Sequence, residues 1–410
     1  MTNTTTAEQV DIAIVGGAMA GATLALGLAH IAKQAGKPLK IALIEAHRPR
    51  DEHPGFDARS IAISHGSIFQ LKKLQIWPHI AALASEINHI HISERGNFGM
   101  TELSSDDFKL PYLGQVVELE AVGQQLFNQL EKSDIQLHCP ASLSEVEAQS
   151  SQQLLTLNNG QKIAAKLLVA ADGLNSKVRH AFKQPLEQVD FQQSAIITNI
   201  HTEQPHQGWA YERFTQSGPL ALLPMADRNA EHRLSMVWAL SPEEAQQMLA
   251  ASKAEFIEKL QATFGYRAGR FIDIGERFSY PLMLSYMKRP IYHRTVFLGN
   301  AAQTLHPIAG QGFNLGLRDV VSLLQVIEQA LTNAGGCELD VGINQITHDY
   351  LARRNADRDS TMNSIEFLVR GFSNDHWPLV LGRNIGLRLL SWFPPLKAPV
   401  ARKAMGWTVN

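Results

Sequence analysis

Asp11-Ile12-Ala13-Ile14-Val15-Gly16-Gly17-Ala18-Met19-Ala20-Gly21 decides the fold. A short apolar run ending in two glycines suits a buried strand of a parallel sheet. Met19 to Ala35 reads as a helix rich in Ala and Leu, stopped by Gly36-Lys37-Pro38. Lys40 to Glu45 reads as a second buried strand. Strand, glycine turn, helix and strand in this order make a βαβ unit. The turn has the form of a dinucleotide fingerprint, in which Gly16 permits the tight bend and Gly21 lets helix and strand approach. Ala18 stands where the fingerprint has its middle glycine, and its methyl crowds the approach to a pyrophosphate. Glu45, closing the second strand, can accept from ribose hydroxyls and disfavours a 2′-phosphate. A glycine turn that only packs helix on sheet is the bland alternative, and the acidic residue at the next strand end argues against it.

Outward from this unit, Gly66–Leu74 and Glu120–Leu130 read as helices and Ile87–Glu94 as a strand. Two strands flank Asn158-Asn159-Gly160, a strong hairpin signal. From Gln188 to Phe278 short alternating strands surround a helix, Pro242–Phe264, with a break near Ala251-Ser252. This predicts an antiparallel substrate domain inserted into an α/β framework. The expected division is a first nucleotide-binding part over 1–187, the insert over 188–278, a second nucleotide-binding part over 279–340 and a helical C-terminal region over 341–410. Residues 75–105 are a candidate addition to the insert.

The 410 residues suffice for roughly two or three domains with full cores. Thirty-seven basic against 39 acidic residues leave a net charge of -2, which argues against a nucleic-acid partner. The two cysteines, Cys139 and Cys337, form no CxxC, and the histidines lack ligand spacing, so no metal is assigned. The N-terminal residues carry no basic-then-apolar signal, and no apolar run reaches the length of a membrane span. The expectation is a cytoplasmic protein.

Two further motifs follow. Leu167 to Ala171 runs into Asp172-Gly173, a polar turn and Arg179; Val296-Phe297-Leu298 runs into Gly299-Asn300-Ala301-Ala302-Gln303 and a glycine-rich loop, Gly310-Gln311-Gly312-Phe313-Asn314, that opens a helix. A helix start presents free N–H groups and a positive dipole end. Read alone, Asp172 could cap a turn, Arg59 could be an ion-paired surface residue, His306 before Pro307 shapes its loop, and Gln303 is structural or at a site's edge.

In this order the three motifs resemble those of the class A flavoprotein aromatic hydroxylases, over nearly the whole chain. The Gly299–Gln303 run looks most like the branch of ubiquinone biosynthesis that hydroxylates 2-polyprenyl-6-methoxyphenol, where Asn300 and Gln303 replace the wider family's Asp and His. The resemblance implies FAD as cofactor, NAD(P)H as electron donor, and a prenylated phenol and O₂ as substrates. It implies that Gly16, Ala18 and Gly21 lie along the FAD pyrophosphate, that Glu45 takes the adenosine ribose, and that Arg59 reaches the phosphates or the flavin edge. Asp172 would support FAD and the nicotinamide, and Asn300 the ribityl or pyrophosphate region. Backbone N–H groups of Gly310, Gln311, Gly312 and Asn314 would face the flavin pyrimidine edge. It assigns no catalytic base. With no second fingerprint, a nicotinamide would bind transiently. A related hydroxylase of another ring position, or an FAD-binding scaffold of a biosynthetic complex without turnover, are the other readings. The stretch 371–410 sets Arg383, Arg388, Lys397, Arg402 and Lys403 among apolar residues. It suits either packing on the nucleotide-binding domain or peripheral contact with the inner membrane or a biosynthetic complex.

Overall fold

A computed structural model describes residues 7–49, 59–228, 230–305, 311–334 and 339–372, with residues 382, 384–386, 388–389, 398–399, 401–402 and 405–406. The strand Glu8–Val15, with Ile12, Ala13 and Ile14 fully buried, lies at the centre of a sheet. Lys162–Ala170 pairs with it in parallel on one side (Ile12 opposite Leu167) and Ile41–Ile44 on the other (Ile12 opposite Ile41). Thr295–Phe297 extends the sheet beyond Lys162–Ala170, and Gln136–His138 beyond Ile41–Ile44, both parallel. The apolar runs bury because helices cover the sheet. Met19–Gln34 and Gln311–Asn333 pack so closely that a Cβ on Gly27 would stand 2.6 Å from a Leu324 methyl. The hairpin of Gln153–Leu157 and Lys162–Ala170 turns where expected, with Gly160 at φ +82°.

The second sheet is antiparallel over most of its width and forms a roof. Its described strands run in the order Gln303–Thr304, Phe278–Tyr286, Glu187–Thr202, His232–Leu240, Pro219–Pro224, Trp209–Phe214, His89–Glu94 and Met100–Ser104, with Phe271–Ile274 beside Glu187–Thr202. Phe278, taken as the end of the insert, begins a strand that runs to Tyr286 along Glu187–Thr202. Ladder pairing, rather than sequence continuity, also brings in two strands from 89–104. Helices Pro242–Ala250 and Lys253–Phe264 cover the outer face, burying Phe256 and Leu260 against Ile196, Leu222 and Met236. The break between them is set by the extended backbone of Ala251 and the capping box of Ser252 with Glu255 that starts the second helix.

A small sheet of Ser60–Ser64, Gly114–Glu118 and Ser85–Ile87 lies under the roof. Ile87 and Val116 pack there with Leu103 and Ala210 of the roof, and Ala401 and Met405 join the same cluster. Asn384 fixes the roof's hairpin by accepting from Gly99 N–H (2.6 Å) and donating to Glu94 Oε2 (2.7 Å). Asn384, Ala401 and Met405 of the tail thus pack on the roof edge and small sheet. The helix Asn344–Phe372 begins the helical C-terminal region. No helix among the described residues is long and apolar enough to cross a membrane.

Candidate active site

The three motifs meet at the carboxyl ends of three adjacent parallel strands, where open α/β sheets bind ligands. Strand Glu8–Val15 ends at Gly16, Lys162–Ala170 at Ala171-Asp172, and Thr295–Phe297 at Leu298-Gly299. Ala171 N–H donates to Val15 O (2.8 Å) and Leu298 N–H to Ala170 O (3.0 Å), so the ladder carries the loops side by side.

The first turn is as tight as its glycines allow. Gly16 has φ +101°, and a Cβ there would lie 2.4 Å from Ala171 O. A Cβ on Gly21 would lie 1.8 Å from Gly16 O. Ala18 caps the helix with an extended backbone (φ -67°, ψ -173°), makes no side-chain cap and is followed by no acidic residue in the first turn. The helix start therefore offers free N–H groups to an anion. The Ala18 methyl is accommodated without strain, because any residue adopts that conformation.

Glu45 is buried, and its carboxylate turns back onto the glycine turn. Oε2 accepts from Gly17 N–H, and Oε1 accepts from His47 N–H at 3.0 Å.

Asp172 Oδ2 accepts from Val178 N–H (3.3 Å), while the buried Oδ1 has no partner among the described residues. Burial raises the Asp172 pKa above the usual aspartate range, against the hydrogen bonds that lower it. An acid whose pKa is higher folded than unfolded binds more protons in the fold. Stability therefore falls as pH rises from about the ordinary value of 3.8 through the raised one, and the penalty persists at neutral pH. Asp172→Asn keeps an oxygen for Val178. It is expected to stabilise the ligand-free chain at pH 7 by on the order of 1 kcal/mol, a gain that vanishes below the unfolded aspartate pKa. Urea unfolding at neutral and acid pH checks this; a loss of stability at pH 7 contradicts it.

The third loop is held from behind. Gly299 has φ +56°, and a Cβ there would touch the Ala20 methyl at 3.4 Å. Its N–H donates to Asp319 Oδ2 (3.1 Å), which also accepts from Gln303 Nε2. Arg354 Nε donates to Asp319 Oδ1 (2.8 Å) and Arg358 Nε to Gln303 Oε1 (2.9 Å); Arg358 reaches on to Met287 O (2.8 Å). Asp319, Gln303, Arg354 and Arg358 are all buried. Gln303 is thus structural. Arg179, also buried, donates to Ala301 O (2.9 Å) and to Leu174 O, fastening the second loop to the third. Sequence reading missed this network, whose members lie far apart in the chain.

Asn300 is exposed at the loop. Asn314 is buried, and its side chain accepts from Ser64 N–H (2.9 Å) and donates to Ala62 O (3.0 Å), joining the long helix to the small sheet. Gln311 and Gly312 open that helix, and a Cβ on Gly312 would meet nothing within 4 Å. Gly310, His306 and Cys337 lie outside the described residues. The Arg59 guanidinium lies 5.3 Å from the centre of the Tyr280 ring in the roof, so it stands between small sheet and roof. No group of His, Cys, Asp and Glu among the described residues forms a metal site.

The FAD binding domain family matches residues 9–341. Ubiquinone hydroxylase UbiL of Rhodospirillum rubrum is 32% identical over 97% of this chain and 89% of its own length. The 3-demethoxyubiquinol 3-hydroxylase of Escherichia coli is 32% identical over 98% of this chain and all of its own. The chain belongs to the FAD-binding monooxygenase family. Its cofactor is FAD, and the family's usual electron donor is NAD(P)H. The p-nitrophenol 4-monooxygenase PnpA of Pseudomonas putida, 14% identical, superposes with a TM-score of 0.77 over 98% of this chain and all of its own, which places the monooxygenase in the same fold. The residues found here fit FAD: a cradle that any Cβ at 16 or 21 would fill, an uncapped helix start, and an orphaned carboxylate oxygen beside them.

Proposed function

We propose that this monooxygenase hydroxylates a prenylated phenol in ubiquinone biosynthesis, converting 2-polyprenyl-6-methoxyphenol to 2-polyprenyl-6-methoxy-1,4-benzoquinol. The observation that carries the reading is a dinucleotide cradle at three strand ends, with a second sheet lying over it. The relatives named above support the pathway, and the Asn300 and Gln303 substitutions support the branch.

In this reading Gly16, Ala18 and Gly21 hold the pyrophosphate by backbone N–H groups and the helix dipole. Glu45 accepts from the adenosine ribose, and Asp172 Oδ1 accepts from FAD or the nicotinamide donor. Arg59 stands near the flavin edge, between small sheet and roof. Asn300 keeps an acceptor while withdrawing a negative charge from beside the phosphates. Backbone N–H groups of Gln311, Gly312 and Asn314 would face the flavin pyrimidine edge, where a helix start favours negative charge on the reduced ring. FAD, when bound, supplies the electron transfer and the activation of O₂. The roof, over 188–286 with strands from 89–104, covers the ring and keeps water out. Ile385 and Leu389, exposed on the tail near Arg388, give this enzyme a surface for the inner membrane that holds such a substrate.

A second reading is favoured by one observation: the E. coli relative, equal in identity to UbiL, is a 3-hydroxylase, so another ring position is open to this scaffold. Turnover of a short-chain prenylphenol under ¹⁸O₂ separates the two. One labelled oxygen is expected on the ring, para to the existing hydroxyl. Label elsewhere on the ring moves the enzyme to another step, and an unlabelled ring product overturns monooxygenation.

A further inference from the structure

The hairpin of His89–Glu94 and Met100–Ser104 closes one edge of the roof, and its turn takes no part in the cofactor site. Arg95, Gly96, Asn97 and Phe98 are all exposed, Phe98 by 54%. The turn is nonetheless fixed. Asn384 of the tail accepts from Gly99 N–H and donates to Glu94 Oε2, and a Cβ on Gly99 would lie 2.9 Å from the Asn384 Cα. The next tail residue, Ile385, is 44% exposed, and Leu389, four positions on, is 39% exposed. The backbone is helical at 384–386 and 388–389, and residues four apart on a helix share a face. An aromatic ring and two aliphatic side chains thus reach solvent on either side of one buried junction.

Positive charge accompanies them. Arg95 in the turn and Arg388 in the tail make no ion pair with a described residue. Burial first, and then the charges of Arg95 and Arg267, hold the Arg213 guanidinium below its usual pKa range, so three guanidinium groups crowd this corner. The nearby acids are committed. Glu102 is shared between Arg267 (3.7 Å) and His91 Nδ1 (3.1 Å), and Glu94 is buried against Asn384. A stable protein contact buries about 800 Å² on each side, which a projecting turn with one ring does not offer. An anionic bilayer fits better, because apolar side chains sink below the headgroups while guanidinium groups stay among the phosphates.

We propose that the turn at 95–98 is a membrane-docking tip: Phe98, Ile385 and Leu389 enter an anionic lipid bilayer, and Arg95 and Arg388 bind its headgroup phosphates. Asn384 locks the two parts together, so roof edge and tail dock as one unit. The tail surface named above thereby gains a second anchor, placed on the roof itself. The choice of a bilayer as occupant rests on the prenylphenol reading, since a prenylated ring is held among lipids.

The test sediments the FAD-loaded enzyme with vesicles of phosphatidylethanolamine and phosphatidylglycerol, and with vesicles of phosphatidylcholine. Wild type is expected to partition onto the anionic vesicles at least about tenfold better, an excess that high salt removes. Phe98→Ser should weaken partition about tenfold, the size of one buried ring, and Arg95→Glu at least about fivefold. Both changes are at exposed positions, so FAD affinity, Tm and turnover of a short-chain prenylphenol in solution should match wild type. Turnover of a long-chain prenylphenol held in the vesicles should fall with the partition. Wild type that stays in solution with both kinds of vesicle overturns the docking tip, as does partition that neither variant lowers. Turnover of the short-chain compound in either case leaves the prenylphenol reading standing. Wild type that partitions as expected but hydroxylates no prenylphenol supports the tip and overturns that reading.

Discussion

Protein carrying Gly21→Val is expected to purify without flavin. The argument is steric and does not depend on which atom of FAD sits at the turn. A Cβ at position 21 would stand 1.8 Å from Gly16 O, well inside any contact distance. Gly16 cannot retreat, because its own missing Cβ lies 2.4 Å from Ala171 O and 2.8 Å from the Asp172 Cα. Any larger residue must pry the helix start off the strand end and open the cradle. FAD affinity should fall more than about a hundredfold, equivalent to about 2.7 kcal/mol, measured by calorimetric titration and by visible absorbance of the purified protein. Ala18→Gly is the companion variant. Its backbone is already extended and its side chain caps nothing, so affinity should stay within about threefold of wild type. A correctly folded Ala18→Gly protein unable to bind FAD would show that the phosphates lie elsewhere.

Asp319→Ala should be the most damaging single change behind the site. Asp319 is fully buried and accepts from Gly299 N–H, Gln303 and Arg354. Its loss leaves a backbone donor and an amide unmet and takes a counter-charge from a buried guanidinium. Breaking a buried pair on one side costs about 3–5 kcal/mol. Chemical denaturation of the FAD-loaded enzyme reads the stability, and FAD titration reads the position of the Gly299 loop. Asp319→Asn keeps the shape and gives up the charge; Arg354 retains Asp357, so the cost should be smaller. A cost below about 1 kcal/mol for Asp319→Ala would mean that the loop is held by something else.

Much of the cofactor side was legible in the sequence because its determinants are local. A glycine at φ +101°, a short strand before it and a helix after it are neighbours in the chain. The break at Ala251-Ser252 was legible for the same reason, since the Ser252–Glu255 capping box spans four residues. The roof was harder to read. Phe278–Tyr286 contains Pro281, which weakens a strand reading, and Trp209–Phe214 places Glu212 and Arg213 side by side where strict alternation was sought. Both are strands because ladder partners on either side satisfy their backbone. Arg354 and Arg358 were illegible as functional supports, because only the fold brings them to a loop more than fifty residues earlier. Glu45 shows a further limit: its position was readable, but the turn of its carboxylate onto Gly17 depends on three-dimensional proximity.

The order of the central strands has a consequence for how this enzyme is made. Its three loops come from residues 16–21, 172–179 and 299–303, and the third is fastened by Asp319 and Arg354. A ribosome releases the first loop more than three hundred positions before the last clamp. The parallel neighbours of Glu8–Val15 include a strand some 150 positions away (Ile12 opposite Leu167), so the central strand waits, unpaired on that side, until that strand has emerged. Such long-range pairing is slow and leaves apolar edges open to aggregation. Free flavin in the cell meets a complete cradle only when the chain as far as Arg354 has left the tunnel. Yield of active enzyme should therefore respond to flavin supply once that clamp has emerged and in the minutes after it.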